Sequence, residues 1–120
     1  MQQTSLFRAR EDMPRGPLPE CHGGEGELDW VRVLDGEALE GRHLRFFHDD
    51  IIPPGASIGI HPHEQDEEYY FVISGRGVVT LDGEQHGIGP GDIAAVFPGG
   101  KHGLENTSDE DMRIIVVSVA

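Results

Sequence analysis

The sequence is short of positive charge, of cysteine and of long apolar runs, and each shortage excludes something. Nine Lys and Arg, among which Lys101 is the single lysine, stand against 22 Asp and Glu, for a net charge of -13. A field of that sign repels phosphate backbones and anionic headgroups, so neither nucleic acid nor a membrane surface is an expected partner. One cysteine, Cys21, excludes an internal disulfide and fits a reducing, cytoplasmic setting. Apolar runs such as Ile114–Val117 are far too short to cross a bilayer as a helix. The first 30 residues hold no apolar signal core, so export by that route is not expected. Also missing are a nucleophile in a strand-to-helix elbow and a phosphate-cradling loop. Gly75-Arg76-Gly77 lies between two strand-like runs and precedes no helix.

What is present points to strands. Seventeen Gly and 8 Pro make up more than a fifth of 120 residues, which disfavours a helical bundle and favours many short strands joined by tight turns. Residues 1–27 read as an irregular arm, because Met13-Pro14-Arg15-Gly16-Pro17-Leu18-Pro19 blocks helix and Cys21-His22-Gly23-Gly24-Glu25-Gly26 is flexible. Such an arm wanders, lies on the domain, or adds a strand to a partner. Residues 28–120 form the domain. Strand-like runs cover Leu28–Leu34, His43–Ile52, Ala56–His61, Glu68–Ser74, Val78–Leu81, Ile93–Phe97 and Met112–Val119. Asp82-Gly83 marks a hairpin turn, and one helical turn is expected near Glu37–Glu40. About eight short strands predict an all-β sandwich or barrel.

The chemistry sits on four polar residues. Side chains two apart on a strand share a face, so His61 and His63 can present two imidazoles to one ion, about 7 Å apart along the strand. That spacing alone is weak in a chain with seven histidines. Glu68 strengthens it, since a carboxylate opening an apolar strand needs a charged partner, and a divalent cation is the natural one. A second block, Gly91–Lys101, is a turn, a strand and a turn leading to His102, which begins a strand able to pair beside His61 and His63. Glu67 is the alternative carboxylate; Glu68 is favoured by its spacing to Gly75.

The two blocks resemble the cupin superfamily. Gly55-x5-His61-x-His63-x4-Glu68-x6-Gly75 is similar to its first motif at full spacing, and Gly91-x5-Phe97-x-Gly99-x2-His102-x3-Asn106 to its second. Phe97 departs from the proline usual there, with Pro98 next to it. The resemblance implies a cupin-type β-barrel, or double-stranded jelly roll, that is commonly a homodimer. It implies one divalent transition metal held by His61, His63, Glu68 and His102. Iron(II) or manganese is favoured, with nickel, cobalt, copper and zinc also compatible with imidazole and carboxylate. Two open positions on a six-coordinate ion would take oxygen atoms of a small organic substrate. The expected function is a metal-dependent enzyme, with dioxygenase chemistry ranked first. Non-redox isomerase or lyase chemistry, and a non-catalytic sugar- or metabolite-binding protein, are the alternatives.

Tyr70 and Val72 share the parity of Glu68 and should face inward, which makes Tyr70 a candidate catalytic or substrate-contacting residue. His48 is the second candidate acid or base, on an early strand with His43 and Arg45 whose register one sequence does not give. His86 is expected to be exposed and Asn106 to serve a turn. Cys21-His22, beside glycines, could reach a metal, but a surface pair is the favoured reading. Glu64, Asp66 and Glu67, and Asp109–Asp111, read as solvated loops.

Overall fold

The computed structural model describes residues 3–120. Ten strands run β1 (Arg15–Pro19), β2 (Glu27–Asp35), β3 (Leu44–Ile52), β4 (Ser57–Pro62), β5 (Glu67–Ser74), β6 (Gly77–Leu81), β7 (Glu84–Ile88), β8 (Ile93–Val96), β9 (Lys101–Glu105) and β10 (Met112–Val119). A six-stranded sheet has the order β1-β2-β3-β10-β5-β8, and a four-stranded sheet the order β4-β9-β6-β7. Every pairing is antiparallel. The inward faces of both sheets meet in one core that includes Leu28, Ile52, Ile58, Tyr70, Val72, Val79, Leu104, Met112 and Ile114. This is the expected all-β jelly roll, with more strands than the apolar runs marked. Among the described residues no helix is long and apolar enough to cross a membrane.

The expected strands form, with ends shifted by a residue or two. The turn at Asp82-Gly83 has φ of +50° and +85°, the left-handed pair that a tight hairpin requires. A 3-10 turn, Gly36–Leu39, stands where one helical turn was expected. β9 forms where a strand beginning near His102 was expected, and β7, the second arm of the Asp82-Gly83 hairpin, went unmarked because Glu-Gln-His-Gly-Ile carries little apolar alternation.

The N-terminal arm is the main correction. Residues 1–27 are not irregular throughout: Arg15–Pro19 pairs with β2 and becomes the edge of the large sheet. Two prolines are tolerated because an edge strand can leave N–H positions unused. Arg10 bonds the buried Asp49 at 2.9 Å, and Arg113 bonds the same carboxylate at 2.8 and 2.9 Å. The Arg113 hydrogen bonds, aided by Arg10 and opposed by burial, hold Asp49 below the usual carboxylate range. Residues 21–23 form a 3-10 turn that docks on β4.

The two faces of the large sheet differ in an informative way. Inward-facing Asp50 lies in register with Trp30 on β2 and Ile114 on β10, is 3% exposed, and leaves Oδ1 without a hydrogen-bond partner. Burial pushes its carboxyl up to about 7, against the opposing effect of a backbone hydrogen bond from Val31. An unfolded chain ionises this group as pH rises past about 4, whereas the folded one keeps the proton until about 7. Stability present below the first value is therefore lost toward the second, by up to about 1.4 kcal/mol per pH unit from this group. Asp50→Asn should match the wild type in urea unfolding near pH 4, gain on it steadily to pH 7, and run parallel above. A difference independent of pH would refute the assignment.

Candidate metal centre

The four polar residues picked out from spacing do converge. His61 lies on β4 directly opposite His102 on β9, and Leu81 of β6 faces His102 from the other side. A register shift between Ile58 and His61 inserts one extra residue into β4. Strict alternation would put Ile58 and His61 on opposite faces; the bulge turns both inward while Ile60 stays 61% exposed. His63 follows β4, its N–H bonded to the Gly100 carbonyl and its carbonyl accepting from the Gly99 N–H. Glu68 comes from the opposite sheet, second residue of β5, inward like Tyr70 and Val72.

His61, His63, Glu68 and His102 each offer one donor atom, all within 4.8 Å of one another. His102 Nε2 stands 3.1 Å from His61 Nε2 and 3.0 Å from His63 Nε2. Glu68 places Oε1 3.3 Å from His102 Nε2 and Oε2 3.6 Å from His63 Nε2. Among the described residues, no lysine or arginine pairs with this carboxylate.

Hydrogen bonds at the far side of two rings determine what the near side can do. His61 Nδ1 donates to the Gly59 carbonyl at 2.7 Å, and His63 Nδ1 donates to Asp66 Oδ1 at 2.9 Å. Each ring then presents a bare Nε2 lone pair inward. Burial lowers the His61 pKa to about 4, so that lone pair is free at neutral pH. Two lone pairs and a carboxylate facing one point have too few protons between them to bond one another. A cation resolves the conflict. Two nitrogens at about 2.1 Å from one ion and at right angles to each other lie about 3 Å apart, which is the spacing found. The residues fit a divalent transition ion with sites to spare.

Asp66 is the residue the sequence reading missed. It was assigned to a solvated loop, yet it accepts from His63 and, through Oδ2, from Ser118 Oγ at 2.9 Å. Burial alone would raise its pKa, but these hydrogen bonds hold it below the usual range. The signal was available as His-x-x-Asp, a spacing too common to weigh without coordinates.

The other candidates separate clearly. Tyr70 is wholly buried, with its ring stacked on His102 at 4.3 Å and its hydroxyl 3.1 Å from His102 Nε2. Burial, and then the Glu68 charge, push its pKa well above the ordinary phenol value, so it stays a protonated donor. His48 faces inward but is not brought to the cluster: its Nδ1 accepts from the Trp30 indole at 3.1 Å and its ring stacks on Phe46. Burial lowers its pKa to about 4. With Nδ1 accepting, the proton sits on Nε2, so His48 offers a donor, not a base. Glu67 faces the other way and accepts from the Tyr69 hydroxyl at 2.7 Å. His43, Arg45 and His86 are exposed. Asn106 clamps a turn, donating to the carbonyls of Ile52 and Glu110. Burial raises the Cys21 thiol to about 11, which makes it inert. His22 is exposed, as expected of a surface residue, and its ring stacks on His61 at 3.6 Å.

Comparison with known proteins agrees with this geometry. The family described as Cupin domain matches residues 49–118. A Thermotoga maritima protein named oxalate-binding protein is 34% identical over 114 residues, 95% of this chain and 93% of that one. A crystal structure from Thermotoga maritima, described as a predicted oxalate decarboxylase, has a TM-score of 0.87 at 29% identity and covers 95% of this chain and 98% of its own. KdgF from Halomonas sp., with a TM-score of 0.74 at 19% identity over 98% and 96% of the two chains, shares the fold.

His61→Ala with His63→Ala should abolish stoichiometric metal in elemental analysis and leave the β-sheet circular dichroism and cooperative unfolding in place. Asp66→Asn should keep the fold and weaken metal binding roughly 10- to 100-fold in calorimetry. Undiminished metal in the double variant would show that the ion binds elsewhere.

Proposed function

The chain belongs to the cupin family, and from that premise we propose that it binds a small dicarboxylate of the oxalate class through a divalent metal ion held by His61, His63, Glu68 and His102. The single observation behind this reading is the convergence of three imidazole nitrogens and one lone carboxylate on a common point. Those four donors carry one negative charge, so a divalent ion leaves the centre net positive. In a chain with a net charge of -13, that is where a dianion can find compensation. Two adjacent carboxylate oxygens suit two neighbouring open positions on a six-coordinate ion. The relatives named above as an oxalate-binding protein and a predicted oxalate decarboxylase support the same ligand class.

When bound, the ion supplies Lewis acidity and, where it is iron(II), reactivity toward dioxygen. The protein's own groups favour binding over turnover. Tyr70 is held as a phenol against His102 and serves to position that ring. His48, locked by Trp30, presents an N–H. Neither expected acid or base is set to accept a proton, so the dioxygenase route first in line from the resemblance takes second place to ligand binding. Iron or manganese remains the favoured ion.

A homodimer is part of the proposal. The outward faces of β5 and β8 expose Phe71 (40%), Ile73 and Ile93 (65%), and Phe97 lies just beyond β8. Phe71 and Ile93 are in register. These four side chains are uncharged on a strongly acidic chain, with Glu67 at one end of the same face tied to the Tyr69 hydroxyl, and the N-terminal arm is bonded to the β2–β3 half of the sheet instead. A second copy presenting the same uncharged strip is the partner that would cover it with few like charges in contact.

Manganese- or cobalt-loaded protein should bind oxalate with one-to-one stoichiometry in calorimetry, and metal-free protein should not. Binding that ignores the metal would overturn the reading. Sedimentation should give a dimer, converted to monomer by Phe71→Asp with Ile93→Asp; a wild-type monomer would remove the subunit contact.

A further inference from the structure

The N-terminal segment brings a fourth imidazole to the metal centre. His22 and His61 are stacked with ring centroids 3.6 Å apart and planes 12° apart. The three donor rings are steeply tilted to one another, at 59°, 63° and 85°. Among the histidines near the centre, His22 is the one that lies parallel to a donor ring, displaced from it by one ring thickness; the buried Tyr70 ring covers His102 in the same way. His22 is also exposed, whereas His61, His63, Glu68 and His102 are buried, so it borders the centre on its solvent side. Among the described residues its ring nitrogens have no hydrogen-bond partner, in contrast to His61 and His63.

The placement is built into two separate stretches of chain. A Cβ on Gly59 would lie 2.0 Å from the His22 carbonyl oxygen, and one on Gly24 would lie 2.2 Å from the Ser57 carbonyl oxygen. The segment can cross β4 this closely because both positions are glycine. Glu25 and Ser57 fasten the crossing by two hydrogen bonds, Ser57 N–H to the Glu25 carbonyl and Glu25 N–H to Ser57 Oγ. His22 itself adopts φ of +49°, and Glu20 φ of +48°, a conformation that costs a residue with a side chain on the order of 1 kcal/mol. The docking sustains that cost at the residue whose ring reaches the centre.

The geometry points to His22 as a ligand-positioning residue: an N–H of its ring hydrogen-bonds an oxygen of the small carboxylate held at the open metal positions. The inference rests on the ligand class given under Proposed function and adds to it the group that would orient the ligand. Stacking alone would make His22 a cover for His61, and the two roles differ in one respect. A cover needs only a flat ring; a positioning residue needs the N–H.

Cobalt-loaded protein allows both to be read from the visible bands of the ion, with oxalate and formate as probes and metal affinity measured in parallel. His22→Phe keeps a flat ring and loses the donor; it should weaken carboxylate binding about tenfold or more with metal affinity unchanged. His22→Gln restores a donor and should recover most of the loss. Gly24→Ala, which undocks the segment with His22 still in place in the chain, should resemble His22→Phe. Oxalate binding to His22→Phe as tightly as to wild type overturns the inference and leaves the ligand class intact. Formate binding that depends on His22, with no oxalate binding, supports the inference and overturns the ligand class. If neither anion binds the loaded wild type, both fall.

Discussion

Two histidine lone pairs, a third imidazole and a carboxylate are gathered inside an apolar β cavity with no side chain of opposite fixed charge among them. The rest of the molecule is arranged around that electrostatic debt. Burying a carboxylate away from a cation costs several kcal/mol, and Glu68 is 6% exposed with only imidazoles and a phenol beside it. The Gly59 carbonyl and Asp66 make matters worse for a metal-free site, since each takes the proton that His61 or His63 could have turned inward. The same bonds that deprive the cluster of protons make it a good set of ligands.

Sheet order explains how residues far apart in the chain reach one point. β4 and β9 are neighbours, so His61 and His102 need no loop to meet, while β5 crosses to the opposite sheet and carries Glu68 toward them. The far ends of the inward rows are apolar and lock this alignment: Val72, Ile114 and Ile52 from one sheet pack with Ile58, Leu104 and Val79 from the other. The centre is thus positioned by a core that does not itself depend on an ion. His102 shows the cost of that rigidity. Its Nδ1 is buried without a partner, and the ring is held in place by Tyr70 stacking and the Tyr70 hydroxyl instead.

Which parts could be read in advance follows from the range of the interactions involved. Strand alternation is local, so the inward parity of Glu68, Tyr70 and Val72 was legible, as were the turns at Asp82-Gly83 and Gly36–Leu39. The four donors were legible because motif spacing and parity agree. The bulge in β4 was not read: Gly59 inside the strand is the kind of residue that marks one but does not by itself fix it, and without the bulge Ile58 or His61 would face solvent. Asp66 was hidden in an acidic run whose other members do lie toward solvent. β1 was hidden by its prolines, which argue against an interior strand and are harmless at an edge.

The least legible feature is the placement of His22, and the reason is physical. Its neighbours read as flexible because they are glycines, but two of the glycines concerned, Gly24 and Gly59, lie 35 positions apart in the chain and are small because each must admit the backbone of the other stretch. Composition near His22 therefore reports a requirement of packing that composition alone renders as looseness. Flexibility in sequence and tight docking in structure have the same residue type as their cause, and only the second stretch of chain tells them apart. The arm and the barrel are accordingly not a tail and a domain. Arg10 on Asp49, β1 on β2, and Gly24 on β4 tie the arm to the barrel at three places. The last of these reaches the rim of the metal centre. An acidic chain that must accept an acidic ligand gains from narrowing that rim: the imidazole of His22 adds no fixed negative charge there, where most of the chain's ionisable side chains would.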